Sequence, residues 1–153
     1  MLVCSMNLDK SYWNAMDKEA ATQYLVNPAY LGMSAPPFEK QLGALKSKIF
    51  EGVSNVELGF MGKGKGSIQG GNITPGMHSK EEREDMRQLA KINDVTLSTH
   101  SSMNAGSLAG LSRDGTFSEM EREKSVKEVK RAIDFAADVA EGGPVVVHAG
   151  EFQ

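Results

Sequence analysis

The chain has 153 residues, 40% hydrophobic and 24% charged, as expected of one globular domain with its own core. The formal net charge of -3 excludes a chain-wide basic footprint for nucleic acid, although a local basic groove would not alter the total. The single Cys4 excludes an internal disulfide and favours a reducing cytoplasm. No apolar run approaches about 18 residues, so no membrane span is predicted.

Four short apolar runs predict the strands of a sheet, at residues 2–8, 55–60, 95–100 and 144–150. The last run is continuous and β-branched, which is typical of a parallel strand buried on both faces. Helical patterns fall between successive runs. This alternation predicts right-handed βαβ units and a parallel sheet.

Three helices are predicted from apolar stripes and capping signals. The first carries Phe38, Leu42, Leu45 and Ile49 on one face. Ser79 and Ser118 each begin a capping-box pattern before the second and third helices. The second stripe is Met86, Leu89, Ala90 and Ile92, and the third is Val126, Val129, Ile133, Ala136 and Ala140. Gly142-Gly143 ends the third helix.

Two long connections follow strand ends, where α/β folds place their chemistry. Residues 9–35 include a predicted short helix at 17–26, and residues 61–78 are rich in glycine. Gly59 to Lys65 matches the phosphate-loop spacing, but Gly66 stands where serine or threonine would bind magnesium. We therefore interpret this stretch as a flexible loop, in which Lys63 and Lys65 are candidate phosphate-binding surface charges.

Two histidines end successive predicted strands, His100 the third and His148 the fourth. Neighbouring parallel strands would bring both imidazoles together at one edge of the sheet, and imidazole is a common zinc ligand. Glu151 adds a candidate carboxylate ligand or outer partner. The alternative is that each histidine only caps its strand. His78 is predicted to be a loop residue beside the Ser79 cap.

These residues resemble the endonuclease IV family of the xylose-isomerase-like TIM barrels. Residues 95–102 resemble its third strand, which ends in a metal-binding histidine, and residues 118–139 resemble the helix that follows. Residues 145–150 resemble its fourth-strand motif, an apolar run ending in His-Pro-Gly. The resemblance covers roughly residues 95–151.

The resemblance implies an α/β fold that is a partial TIM barrel, with residues 1–153 as the N-terminal half of a (β/α)8 domain. It also implies a divalent metal, zinc before manganese or magnesium, and a metal-dependent phosphodiesterase or DNA endonuclease acting in DNA repair. This half alone is expected to be inactive. The alternatives are a sugar isomerase or epimerase of the same superfamily, and a noncatalytic half barrel. Expected partners are DNA or a phosphorylated or sugar substrate.

A half barrel also implies a protein partner. Four strands leave two sheet edges unpaired, and we expect an apolar inner face without cover. Such a face would drive pairing with a missing C-terminal half or with a second copy of the chain.

Overall fold

The computed structural model describes residues 30–64, 73–112 and 114–149, which form an α/β fold. Within this part of the chain the strands are β1 Gly32–Ser34, β2 Asn55–Phe60, β3 Thr96–Ser102 and β4 Val145–Val146. The α-helices are α1 Gln41–Phe50, α2 Lys80–Ile92 and α3 Glu119–Ala140, and a 3-10 turn spans Pro75–Met77. The strands lie in the order β1-β2-β3-β4 and every pair is parallel. The predicted parallel sheet with intervening helices is therefore confirmed.

Strand β1 was not predicted, because its three residues lie inside the long connection before α1. Gly-Met-Ser has no β-branched residue, so only pairing with β2 makes it a strand. The backbone of Ala35 donates to the carbonyl of Glu57 at 2.8 Å and extends this pairing. The predicted strand at 2–8 and helix at 17–26 lie outside the described residues.

Strand β4 differs from the prediction of a strand at residues 144–150 that is buried on both faces. It has two residues, and Val146 remains 39% exposed. Among the described residues β4 pairs only with β3, through the register Thr99 to Val145 and His100 to Val146. One neighbour cannot bury both faces of a strand, so hydrophobicity alone overestimated its length and burial.

The hydrophobic core lies on one face of the sheet, between the strands and the helices. Alternate residues of β2 and β3 enter it and meet apolar residues of α1, α2 and α3. The strand residues are Val56, Leu58, Phe60 and Leu97, and the helix residues include Leu45, Met86 and Phe135. None of the described helices has both the length and the hydropathy needed to cross a bilayer.

Among the described residues, the face of the sheet opposite the helices is largely polar, with Val146 of β4 as an apolar member, and this differs from the expected apolar inner face. Strand alternation places Glu57 of β2 and both Ser98 and His100 of β3 on this face. Ser34 of β1 joins them, since its hydroxyl donates to Glu57 Oε1 at 2.9 Å. The helices cover the apolar strand residues. The alternate residues of the same strands point to the other face and can therefore be polar. We call these residues the polar inner face.

The predicted helix boundaries agree with the structure more closely than the predicted buried faces do. Ser79 and Glu82 form the full predicted capping box, with both hydrogen bonds at 3.1 Å. Helix α3 begins after Ser118 and ends at Ala140, where Glu141 takes a left-handed φ of 52° before the two glycines. Both predicted helix boundaries are confirmed to within a residue.

The predicted apolar stripe of α3 is confirmed at Ala136 and in part at Ala140, but it is otherwise displaced by about one position from the buried residues. The buried residues are Ser125, Glu128, Ala132, Phe135, Ala136 and Val139. Ile133 is 49% exposed, and at the other predicted helices Phe38 is 59% and Ile92 is 81% exposed. The two polar residues, Ser125 and Glu128, face inward because each forms a hydrogen bond to a loop. A pattern of apolar residues does not predict these hydrogen bonds.

The connection from β3 to α3 forms a small hairpin, in which Leu111 pairs with Phe117. Gly110 packs against the start of α3, where an added Cβ would lie 2.4 Å from the Ser118 carbonyl oxygen. Gly115 at the hairpin turn has the same φ of +81° but no atom within 4 Å of an added Cβ. Substitutions at the two glycines therefore distinguish the cost of backbone strain from the cost of a steric clash.

We expect Gly110→Ala to destabilise the fold more than Gly115→Ala does. Both variants place alanine at a left-handed φ, at a cost of about 1–2 kcal/mol. Gly110→Ala adds a backbone clash worth about 1–3 kcal/mol more. Urea unfolding of both variants measures the difference, and equal free energies of unfolding would show that the hairpin moves away without cost.

Candidate metal centre

His100 occupies the carboxyl-terminal part of β3 on the polar inner face. Its Cβ lies 3.9 Å from the position that a Cβ would take at Gly59, the neighbouring residue on β2. The missing side chain at Gly59 therefore leaves room beside the imidazole. His100 is 7% exposed, so this ring is fixed by its surroundings. His148 follows β4 by two residues and is exposed.

The structure brings the two predicted histidines together. Their Nε2 atoms are 3.2 Å apart, and the rings meet nearly perpendicular with centroids at 4.8 Å. Two nitrogen ligands of one tetrahedral zinc ion, each about 2.0–2.1 Å from it, lie about 3.3 Å from each other. The observed separation is that of a hydrogen bond between the two ring nitrogens, and it is also close to the spacing of two ligands on one metal.

The tautomer of His100 is set by its backbone neighbour. Nδ1 lies 2.7 Å from the carbonyl oxygen of Ser101, which can only accept a hydrogen bond. Nδ1 therefore carries the proton, and neutral His100 has a lone pair on Nε2, facing His148. Metal-binding histidines are commonly oriented in this way by a carbonyl at the other ring nitrogen.

The remaining predicted site residues do not complete the pair. Glu151 and Lys65 lie outside the described residues. Among those that are described, no group of three histidine, cysteine, aspartate or glutamate side chains is placed to hold a metal. Glu57 shares the polar inner face but bonds to Ser34 and sits in register with Ser98, two residues before His100. The sequence contained a signal for this placement of Glu57, because it alternates with the apolar residues of β2.

Lys63 lies beside this edge of the sheet in the loop that follows β2. Its Nζ is 3.7 Å from the position of an added Cβ at Gly106, so it borders the connection that follows β3. The loop base around it is tied at both ends, since the amides of Met61 and Gly62 donate to the Ile73 carbonyl at 3.2 and 2.8 Å. The Ser102 hydroxyl donates to the carbonyl of Gly62. Lys63 is therefore exposed on an ordered base.

Helix α3 holds both loops through its two inward polar residues. Glu128 is 6% exposed and its Oε1 accepts from the amide of Gly64 at 2.9 Å and from Arg131. The hydroxyl of Ser125 donates to the carbonyl of Ala105 at 2.8 Å. No pattern in the sequence indicates either role, because a helix pattern does not identify the loop that folds over it.

His78 is the third histidine and lies away from the pair. It precedes the Ser79 cap as predicted, but it is buried against Phe60 and Phe135, with ring centroids at 5.9 and 5.6 Å. Burial lowers the pKa of His78 below its ordinary value of 6.5, and Glu82, 3.5 Å from Nδ1, opposes this shift. The carboxyl-edge pair of His100 and His148 is therefore the candidate centre.

Comparison with known proteins adds no family or relative to these observations. No protein-family model, no curated protein and no solved structure matches the chain.

We expect Glu128→Ala to destabilise the fold by about 1–3 kcal/mol, because it removes the buried acceptor of the Gly64 amide and leaves Arg131 unpaired. The matched control is Glu121→Ala, on the same helix. Glu121 pairs with Lys124 three residues on, as Glu128 pairs with Arg131, but this pair is exposed and should be worth less than about 1 kcal/mol. Urea unfolding compares the two variants, and similar losses would contradict a loop-holding role for Glu128.

Proposed function

We propose that the chain binds a divalent metal, preferentially zinc, through His100 and His148. In this proposal it is the N-terminal half of a TIM-barrel phosphodiesterase or DNA endonuclease resembling endonuclease IV. The single observation that carries the proposal is the 3.2 Å separation of the two Nε2 atoms at the carboxyl edge of the sheet. Glu151 is the proposed additional ligand.

The surroundings of the pair favour a catalytic over a purely structural metal. Structural zinc sites are closed by four protein ligands, whereas catalytic sites keep a position open for water or substrate. His148 is exposed, so a metal held there would be reached from solvent. Such a metal would polarise a phosphoryl oxygen and activate water. In that role Ser101 orients His100, and Lys63 provides a positive charge for a phosphate.

The architecture supports a barrel-type enzyme in two respects. The strands are parallel, with all core helices on one face, as in one wall of a TIM barrel. The pair also lies at the carboxyl ends of two adjacent strands, where TIM barrels place their active sites. We propose that a second half, from another chain or another copy, adds strands at the edges of the described sheet.

A sugar isomerase or epimerase is the second candidate, and the charge around the site favours it. The connections that follow the four strands contain four cationic residues, Lys40, Lys63, Lys65 and Arg113, and three acidic residues, Glu39, Asp114 and Glu151. This balance provides little attraction for a DNA backbone, whose binding depends on several cationic contacts. The hydroxyl and carboxylate groups of the polar inner face are typical partners for an uncharged sugar.

We expect weak zinc binding by the wild-type chain, and more than a tenfold loss of affinity in His100→Ala and in His148→Ala. The physical reason is that each variant removes one of two described ligands, and outer-sphere partners alone are typically worth about 10–100-fold. Titration calorimetry measures the affinity. The control is His78→Phe, which alters the only other histidine and should bind zinc as the wild type does.

No zinc binding by the wild type, or an equal loss in the His78→Phe control, would overturn the metal proposal. The noncatalytic half barrel would then be the remaining hypothesis.

A duplex with a tetrahydrofuran abasic-site analogue tests the substrate. We expect manganese-dependent binding, measured by fluorescence polarisation, that is stronger than for a matched undamaged duplex and is lost with chelator or in His100→Ala. Lys63→Ala should weaken both duplexes about equally, because a phosphate contact carries no base information. Equal affinity for the two duplexes, together with metal-dependent binding of an aldose, would favour the isomerase.

Turnover by the purified chain should be negligible, since a pair of histidines leaves a metal incompletely held. Robust, chelator-sensitive cleavage of abasic-site DNA would show that this expectation is wrong and that the chain contains a complete site.

A further inference from the structure

His78 occupies a position that the proposed metal chemistry does not use. It is buried, and its Nε2 has no hydrogen-bond partner in the described structure. The ring packs against the side chains of Phe60 and Phe135, which also contact each other. A charged imidazole is disfavoured at this buried position, because only Nδ1 faces a partner, Glu82, while Nε2 has none.

The segment that carries His78 also forms one end of the connection between β2 and α2. We call residues 73–78 the latch segment. At one end, the Ile73 carbonyl accepts from the amides of Met61 and Gly62, at the other end of the loop. At the opposite end of the segment, Arg83 of α2 donates to the carbonyls of Pro75 and His78 at 3.0 and 3.2 Å. The latch segment therefore connects His78 to the loop base beside Lys63.

Burial, and not the sum of the charges around His78, works against its protonation. On α2, Glu82 faces Nδ1 and favours the charged ring, whereas Arg83 disfavours it. Lys40, from the connection before α1, also disfavours it. Asp138 of α3 is already paired with Arg83 at 2.6 Å. Burial opposes the charge more strongly than any of these groups.

We propose that His78 is an acid-sensitive latch, whose protonation releases residues 73–78 from the core and weakens their backbone contact with Met61 and Gly62, beside the candidate centre. The sign follows from proton binding. The released state holds the ordinary imidazole, which binds a proton near pH 6.5, whereas the closed state resists it. Closure is therefore complete above about pH 6.5 and weakens as the pH falls below that value. This inference does not depend on metal binding.

Amide hydrogen exchange of the full chain between pH 7.5 and about pH 5 tests the latch, with rates corrected for the intrinsic pH dependence of exchange. Below pH 6.5, one proton linked to opening gives up to about a tenfold loss of protection per pH unit. We expect this loss at the amides of Met61 and Gly62, and stable protection of amides inside the β2–β3 ladder. A uniform loss over the whole chain would overturn the proposal, because it would indicate acid unfolding.

Two variants separate His78 from other titrating groups. His78→Phe keeps an aromatic ring but cannot titrate, so the protection of Met61 and Gly62 should become independent of pH in this range. Glu82→Gln removes the charge that favours protonation but retains an oxygen for the Ser79 capping box, so the onset should move to lower pH. A wild-type profile in His78→Phe would overturn the latch. If that variant does not fold, an unchanged onset in Glu82→Gln overturns it instead.

Discussion

The contact between Phe60 and Phe135 is the constraint on which the carboxyl edge of the sheet depends. The two rings meet edge to face at 4.9 Å, and both side chains are fully buried. Such a pair contributes about 0.5–1.5 kcal/mol beyond the burial of its area. Phe60 is the last residue of β2, and Phe135 lies in the second half of α3. Their contact therefore fixes the point at which β2 ends and its loop begins, relative to the longest helix.

Several features near the candidate centre follow from this contact. The carbonyl of Phe60 accepts from the amide of Met103, which sets the direction of the chain after β3. The rotation of α3 that buries Phe135 also turns Glu128 towards the loop after β2. A buried carboxylate is costly unless its oxygens are bonded, and Gly64 and Arg131 satisfy one of them. The loops beside the histidine pair thus take their positions from the core.

One-sided burial changes the expected basis of assembly. The helices already cover the apolar side chains of β2 and β3, and the opposite face of the described sheet contains the half-buried Glu57 and Ser98 and the buried His100. Association through that face would need hydrogen bonds and charge complementarity, because little apolar area is left to remove from water. The strand edges at β1 and β4 are the other described surfaces that can accept a partner, through backbone hydrogen bonds.

The sequence by itself determined the elements whose signals are local. The strand at 55–60, the Ser79 capping box and the end of α3 before Gly142 depend on neighbouring residues, and each matches the structure. The sequence also predicted that His100 and His148 end adjacent strands; in the structure His100 lies two residues before the end of β3, and His148 lies two residues after β4. Only the tertiary structure decided the pairing of β1, the shortness of β4, the face that α3 buries and the burial of His78. These features depend on which distant residue supplies a hydrogen bond or covers a surface, and hydrophobic periodicity along the chain contains no record of that partner.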